Sequence, residues 1–186
     1  MSKLFKIVKD RIPTLRQRCL AVENPNDPSI LSLINEMHDY LVLSQDETYA
    51  EKHNIREGVG LAAPQIGQNI RILVVYYKDI VDGKEIEVDH RLINPKIVSE
   101  SVKKIALSQG EGCLSVDDAH PGYVYRPYKI IVKAFDAKAQ KETFITARGY
   151  EAIVLQHELD HLDGVLFYDH INKKDPFKIE DNSQLI

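Results

Sequence analysis

Apolar positions first recur at helical spacing just after the turn Asn24-Pro25-Asn26-Asp27-Pro28. Ile30, Leu31, Leu33, Ile34, Met37 and Leu41 fall on one side of a helix that the spacing carries from Pro28 to about residue 50, with Tyr49 its last apolar position. Asp27 suits the N-cap, and Pro28 takes the first helical position, where its missing N–H costs nothing. The texture then changes. Residues 71–77, 92–98, 104–108, 123–135 and 142–147 are short runs rich in Val, Ile, Tyr and Phe, broken by Gly, Pro, Asp or Asn. They predict strands, most simply antiparallel, because several are joined by loops too short for crossover helices. A last helix is predicted over Gly149–Leu162, stopped by Gly164. Tyr150, Ile153, Val154, Leu155, Leu159 and Leu162 surround it almost completely, so it should be buried on most sides. The layout is α+β: antiparallel strands around a buried C-terminal helix, with an N-terminal helix.

Composition narrows the class. A length of 186 residues predicts one domain over 1–186, with a polar tail from about residue 173 that is either mobile or adds an edge strand near 177–179. A formal charge of -4 argues against nucleic-acid coating, which needs clustered Lys and Arg. No apolar run approaches the roughly 20 residues of a membrane span. The start, Met1-Ser2-Lys3-Leu4-Phe5-Lys6, has no apolar leader, and two cysteines make no disulfide framework. A cytoplasmic, soluble protein is expected.

The last helix also carries chemistry. His157-Glu158-Leu159-Asp160-His161 is an HExxH string, whose two imidazoles share a helix face and can grip one cation. Glu158 lies one step round, placed to hold a water without being a ligand. A bland alternative is an internal salt-bridge cluster with Glu158, Asp160 or Asp163. A catalytic site needs a third ligand and an open position. The extended zincin pattern would require His at position 167, which is Phe. A later glutamate, Glu180, lies in the polar tail and makes a poor ligand, though it keeps an endopeptidase reading in view. Cys113, in Gly110-Glu111-Gly112-Cys113-Leu114-Ser115, has small neighbours and a thiolate suited to Zn²⁺ or Fe²⁺. A closed, structural metal site is the remaining alternative. The other distinctive stretch runs from Glu57 to Gly67. Its Gly58 and Gly60 suggest close backbone approach, and Gln65 offers an amide donor, but it is neither a P-loop nor a dinucleotide motif.

Taken together, GVGLAAPQ at 58–65, EGCLS at 111–115 and QHELDH at 156–161 resemble the peptide deformylases in order and spacing, with the longer type-2 form suggested by the stretch between the first two motifs. The resemblance runs from Leu15 to about Ile171. It implies a metal-dependent hydrolase that removes the N-formyl group from the formylmethionine of nascent polypeptides and releases formate. The implied metal ligands are Cys113, His157 and His161, holding one divalent ion, Fe²⁺ foremost, with Zn²⁺, Ni²⁺ or Co²⁺ as alternatives. Glu158 is implied as general base, with the Gln65 side chain and the Leu114 backbone N–H stabilising the oxyanion. Tyr150, Ile153 and Val154, which precede His157 on its own face, should form with Val59 a pocket for an unbranched methionine side chain. Backbone groups of Val59, Gly60 and Gly112 should pair with the peptide as an added strand. Glu111 and Arg126 match a structural acid–base pair. The reaction implies a nascent chain, and with it the ribosome, as partners. His38, His53, His90, His120 and His170 are expected at surfaces or in loops without a role, and Cys19 as a buried spectator.

Overall fold

The structure, a computed structural model, describes residues 4–81 and 83–186; the start of the N-terminal segment read above for a leader lies outside the described residues. Helix α1 spans Pro28–Ser44, and Asp27 accepts the Ser29 N–H at its N-cap (2.8 Å). The predicted helix to residue 50 is in fact two. The Gln45 side chain turns away to donate to the carbonyls of Gly58 and Tyr76, and Asp46 caps a new helix, α2 (Glu47–His53), by accepting the Tyr49 N–H. The local capping energy, about 1 kcal/mol for such a residue, competes well with continuing the first helix.

The strands are β1 (Gly60–Ala62), β2 (Ile72–Val81), β3 (Lys84–Glu100), β4 (Lys104–Ala106), β5 (Arg126–Pro127), β6 (Lys129–Asp136), β7 (Lys141–Arg148) and β8 (Ser183–Leu185), with helix α3 (Gly149–Leu162) between the last two. Five form an antiparallel sheet in the order β1-β2-β3-β6-β7, and three form a second sheet, β5-β4-β8. Among the named strands, the pair β4 and β8 departs from antiparallel pairing and runs parallel. Residues 123–125 also lie outside any strand. The tail does add an edge strand, but at Ser183–Leu185, because it first folds back through the carbonyl of Pro176 onto Tyr123.

Two helices cover the larger sheet. Ile72 and Val74 of β2 face α1, packing with Ile34, Met37 and Leu41; Leu73 and Val75 face α3, packing with Val154, Leu155 and Leu159. With both faces covered, all four consecutive β2 residues are buried, as in a sheet enclosed on both sides. Helix α3 is buried along almost its whole length, and Leu155 is fully enclosed. Truncating such a leucine to alanine typically costs 2–5 kcal/mol. Two histidines depart from expectation. His38 is buried on α1, edge-on to Tyr76 and beside Arg91, while His90 lies in β3 with its Nε2 2.7 Å from Glu151 of α3.

Candidate active site

Helix α3 brings His157 and His161 to one face, one turn apart, with ring centroids separated by 5.1 Å. Cys113 reaches them from the loop after β4, and its Sγ lies 3.3 Å from His161 Nε2. The ligand-type atoms of Cys113, His157 and His161 all fall within 4.8 Å of one another, and all three residues are buried. That loop is held from outside the site. Arg56 donates to the carbonyls of Cys113 (3.1 Å) and Val116 (3.2 Å), Lys9 Nζ donates to the Leu114 carbonyl (3.1 Å), and the Asp10 N–H donates to that of Ser115 (2.9 Å).

The surrounding charges prepare these groups for a cation. Burial alone would raise the Cys113 thiol, but His161 and His157 outweigh it and hold the thiol well below the ordinary cysteine range. His157 is also enclosed, which disfavours its charge, yet contacts with Cys113 and Glu111 lift it well above the ordinary imidazole value. The metal-free site therefore favours a thiolate beside an imidazolium, and a metal ion would displace the imidazolium proton. Glu111 Oε2 lies 2.8 Å from His157 Nδ1, which leaves Nε2 as the nitrogen available to a cation. Arg126 grips Glu111 through two hydrogen bonds of 2.6 and 3.0 Å, the acid–base pair read from the sequence. Against the opposing effect of burial, His157 and Arg126 keep Glu111 below the usual carboxylate range. One thiolate and two imidazoles, buried and preorganised, suit a first-row divalent ion.

Glu158 stands beside this cluster, nearly enclosed, with Oε2 unpartnered among the described residues. Burial pushes its carboxyl up to about 7. It packs on Gly60, where an added Cβ would sit 2.3 Å from Glu158 Oε1. Gln65 is oriented from both ends. Its Oε1 accepts the Ala62 N–H (2.8 Å), so its Nε2 points toward Ser115 Oγ (3.2 Å) and Cys113 Sγ (3.6 Å).

These groups line a cavity of ≈ 320 Å³, with Val59, Gly60, Gly112, Tyr150, Ile153 and Val154 in its wall together with Gln65, Leu114 and Glu158. Cys113 and His157 line it too, whereas His161 does not. The Val59 carbonyl accepts the Tyr76 N–H (2.9 Å) from β2, and by strand alternation the polar backbone of Gly60 faces the sheet's free edge. Arg56, Glu57 and Leu107 also line the cavity without a signal in the sequence, and Ser115 acquires a role by meeting the Gln65 amide. Glu180 is remote from this constellation, paired with Lys104 Nζ at 2.6 Å, which removes the endopeptidase reading that needed it as a ligand.

Residues 4–177 match the family model described as polypeptide deformylase. The chain belongs to the polypeptide deformylase family. Among deformylase relatives, a peptide deformylase of Pediococcus pentosaceus is 49% identical over the whole of both chains. One from Macrococcus caseolyticus is 46% identical over 97% of this chain and 96% of its own. Solved deformylase structures share the fold. That of Ehrlichia chaffeensis in complex with actinonin has a TM-score of 0.72 at 34% identity, covering 95% of this chain and 92% of its own. A Met-Ala-Ser-bound class I type b enzyme of Acinetobacter baumannii has a TM-score of 0.72 at 28% identity, covering 92% of this chain and all of its own.

Proposed function

We propose that this peptide deformylase hydrolyses the N-formyl group of formylmethionine on nascent chains, with Cys113, His157 and His161 holding one divalent metal ion and Glu158 as general base. The observation that carries the reading is the three-ligand cluster with the Glu158 carboxylate beside it, at the wall of a cavity with apolar sides. The bound ion supplies Lewis acidity, polarising a carbonyl and acidifying water near neutral pH. Glu158 takes the proton of the attacking water as its oxygen bonds to the formyl carbon. As the C–N bond breaks, the same carboxyl passes that proton to the leaving amine, and formate departs. The Gln65 amide, already aimed at the cluster by the Ala62 N–H, and the backbone N–H of Leu114 serve the developing oxyanion. Val59, Tyr150, Ile153 and Val154 take the methionine side chain. The free edge of β1 at Gly60, with Gly112 opposite, pairs with the peptide backbone. The Met-Ala-Ser peptide in the Acinetobacter relative supports a peptide of that kind.

Fe²⁺ is the expected ion, and Zn²⁺, Ni²⁺ and Co²⁺ suit the same donors. The long segment between residues 66 and 110 supports the type-2 form. A formylated nascent chain places the enzyme in the cytoplasm, at or near the ribosome, and no helix among the described residues is long and apolar enough to cross a membrane. The test is formate release from formyl-Met-Ala-Ser by anaerobically prepared, Fe²⁺-loaded protein, with acetyl-Met-Ala-Ser as control. Turnover of the formyl peptide alone is expected. Glu158→Ala should keep its metal and lose turnover; a fully active Glu158→Ala protein would overturn the general-base assignment.

A further inference from the structure

His170 ends the short 3-10 turn Phe167–His170 that follows α3, outside the cavity, yet it is the outer end of an unbroken polar chain to a metal ligand. Its Nε2 lies 2.8 Å from Asp160 Oδ2, and that same oxygen accepts from Arg126 Nη1 at 2.9 Å. Arg126 then holds Glu111 through its other two nitrogens, and Glu111 Oε2 lies 2.8 Å from His157 Nδ1. We infer that Asp160 and His170 are positioning residues for His157, acting through Arg126 and Glu111. The inference rests on the reading of His157 as a metal ligand.

The geometry explains why the outer links matter. A guanidinium is a planar fork, so two bonds to Glu111 fix the plane of that carboxylate only while the guanidinium itself is fixed. Asp160 supplies the third point of attachment from the opposite side. His170 offers Asp160 an N–H from the solvent side, so the carboxylate that anchors Arg126 is itself tethered. The side-chain exposures of Glu111, Arg126, Asp160 and His170 run 3%, 4%, 21% and 39%, so the chain passes from the interior to the surface. The same turn holds His157 in a second way, because the Phe167 ring stacks on the imidazole at 6.0 Å and 19°. The turn is in turn tied to the N-terminal segment, where Arg16 pairs with Asp169 and donates to Tyr168 Oη (3.0 Å). A buried ion chain contributes little to stability compared with apolar packing, so its termination on a ligand nitrogen fits an orienting role better.

The test titrates Co²⁺ into the metal-free full-length protein and reads affinity and the ligand-field absorption spectrum, alongside kcat and KM on formyl-Met-Ala-Ser. His170→Ala should weaken Co²⁺ about 3- to 10-fold, alter the spectrum and lower kcat with KM unchanged. His170→Gln, whose amide can still donate to Asp160, should restore all three. Asp160→Asn, which loses the charge facing Arg126, should show the larger effect, about 10- to 100-fold in affinity. Folded His170→Ala and Asp160→Asn proteins with wild-type Co²⁺ affinity and spectrum would overturn the inference, even if their melting temperatures fell. A wild-type protein that bound no Co²⁺ would instead overturn the ligand assignment, and this inference with it.

Discussion

Glu158 can stand against β1 only because residue 60 has no side chain. A methyl group there would lie 2.3 Å from Oε1 and 2.7 Å from Cδ of the carboxylate, and the largely buried helix that carries Glu158 leaves it little room to retreat. Gly60→Ala should therefore displace the carboxylate while leaving the proposed ligands Cys113, His157 and His161 untouched. A misplacement of about 1 Å at a catalytic group can cost about 100-fold in rate. The expected outcome is kcat on formyl-Met-Ala-Ser lower by about 100-fold with one metal still bound per chain. A kcat within 3-fold of the parent would show that the Gly60 contact does not set the base. At this scale the sequence was informative about identity and silent about orientation. HExxH announced two imidazoles and a carboxylate, and Gln65 stood out as a donor beyond small residues. Nothing in the string indicated that the Ala62 N–H would select which end of that amide faces Cys113, or that Arg56 would reach the Cys113 carbonyl.

At the level of elements, the strand nearest the metal loop depends on the end of the chain. The Ser108 N–H donates to the Ile186 carbonyl (2.7 Å) and the Ile186 N–H to that of Ala106 (3.1 Å), with Lys104–Ala106 in parallel register with Ser183–Leu185. Five residues after β4 the loop begins the Glu111–Cys113 stretch. Removing residues 183–186 should strip β4 of one neighbour, lower the melting temperature and speed amide exchange at Ser108. Since no ligand lies in the tail, the truncated protein should still bind one metal ion per chain, and loss of that stoichiometry would contradict the ligand set. Legibility of the elements followed burial. Residues 72–75 and the alternating β6 were visible because apolar side chains mark covered faces. The outer arms of β2 and β3 leave no mark in the pattern, because residues 78–81 and 83–87 are exposed and mostly charged or polar, so the hairpin continues without a core to record it. Strand β1 is silent in the sequence for another reason: Gly60, Leu61 and Ala62 are too few and too small to show alternation, and their pairing with β2 is a tertiary fact.

Across the whole molecule, the fold gives most buried carboxylates a cationic partner. Glu111 and Asp160 beside the metal pocket share Arg126, Asp89 of β3, away from the pocket, pairs with Arg91 and Lys138, and all three sit below the usual carboxylate range. Glu158 lies in the same interior, but burial dominates and raises it from 4.5 to about 7. Below pH 4.5 this group is protonated both folded and unfolded and adds no pH dependence. As pH rises from there to about 7, the unfolded chain releases the proton while the folded one retains it, so the metal-free protein loses stability across that window and the loss levels off above it. That interval in pKa, 4.5 to about 7, corresponds to ~3 kcal/mol for the isolated group. Glu158→Gln removes this contribution and leaves the depressed carboxylates common to both proteins. Compared by urea denaturation without metal under reducing conditions, Glu158→Gln should be more stable than the parent by ~3 kcal/mol at pH 8 and by ~1 kcal/mol at pH 5. Adding Zn²⁺ in excess should stabilise both proteins by binding the folded state, and a cation beside the carboxylate would favour its charged form. The gap at pH 8 should then shrink. An equal gap at pH 5 and pH 8 without metal would mean that the fold does not hold a proton on Glu158, and that the carboxylate is already charged before the ion arrives.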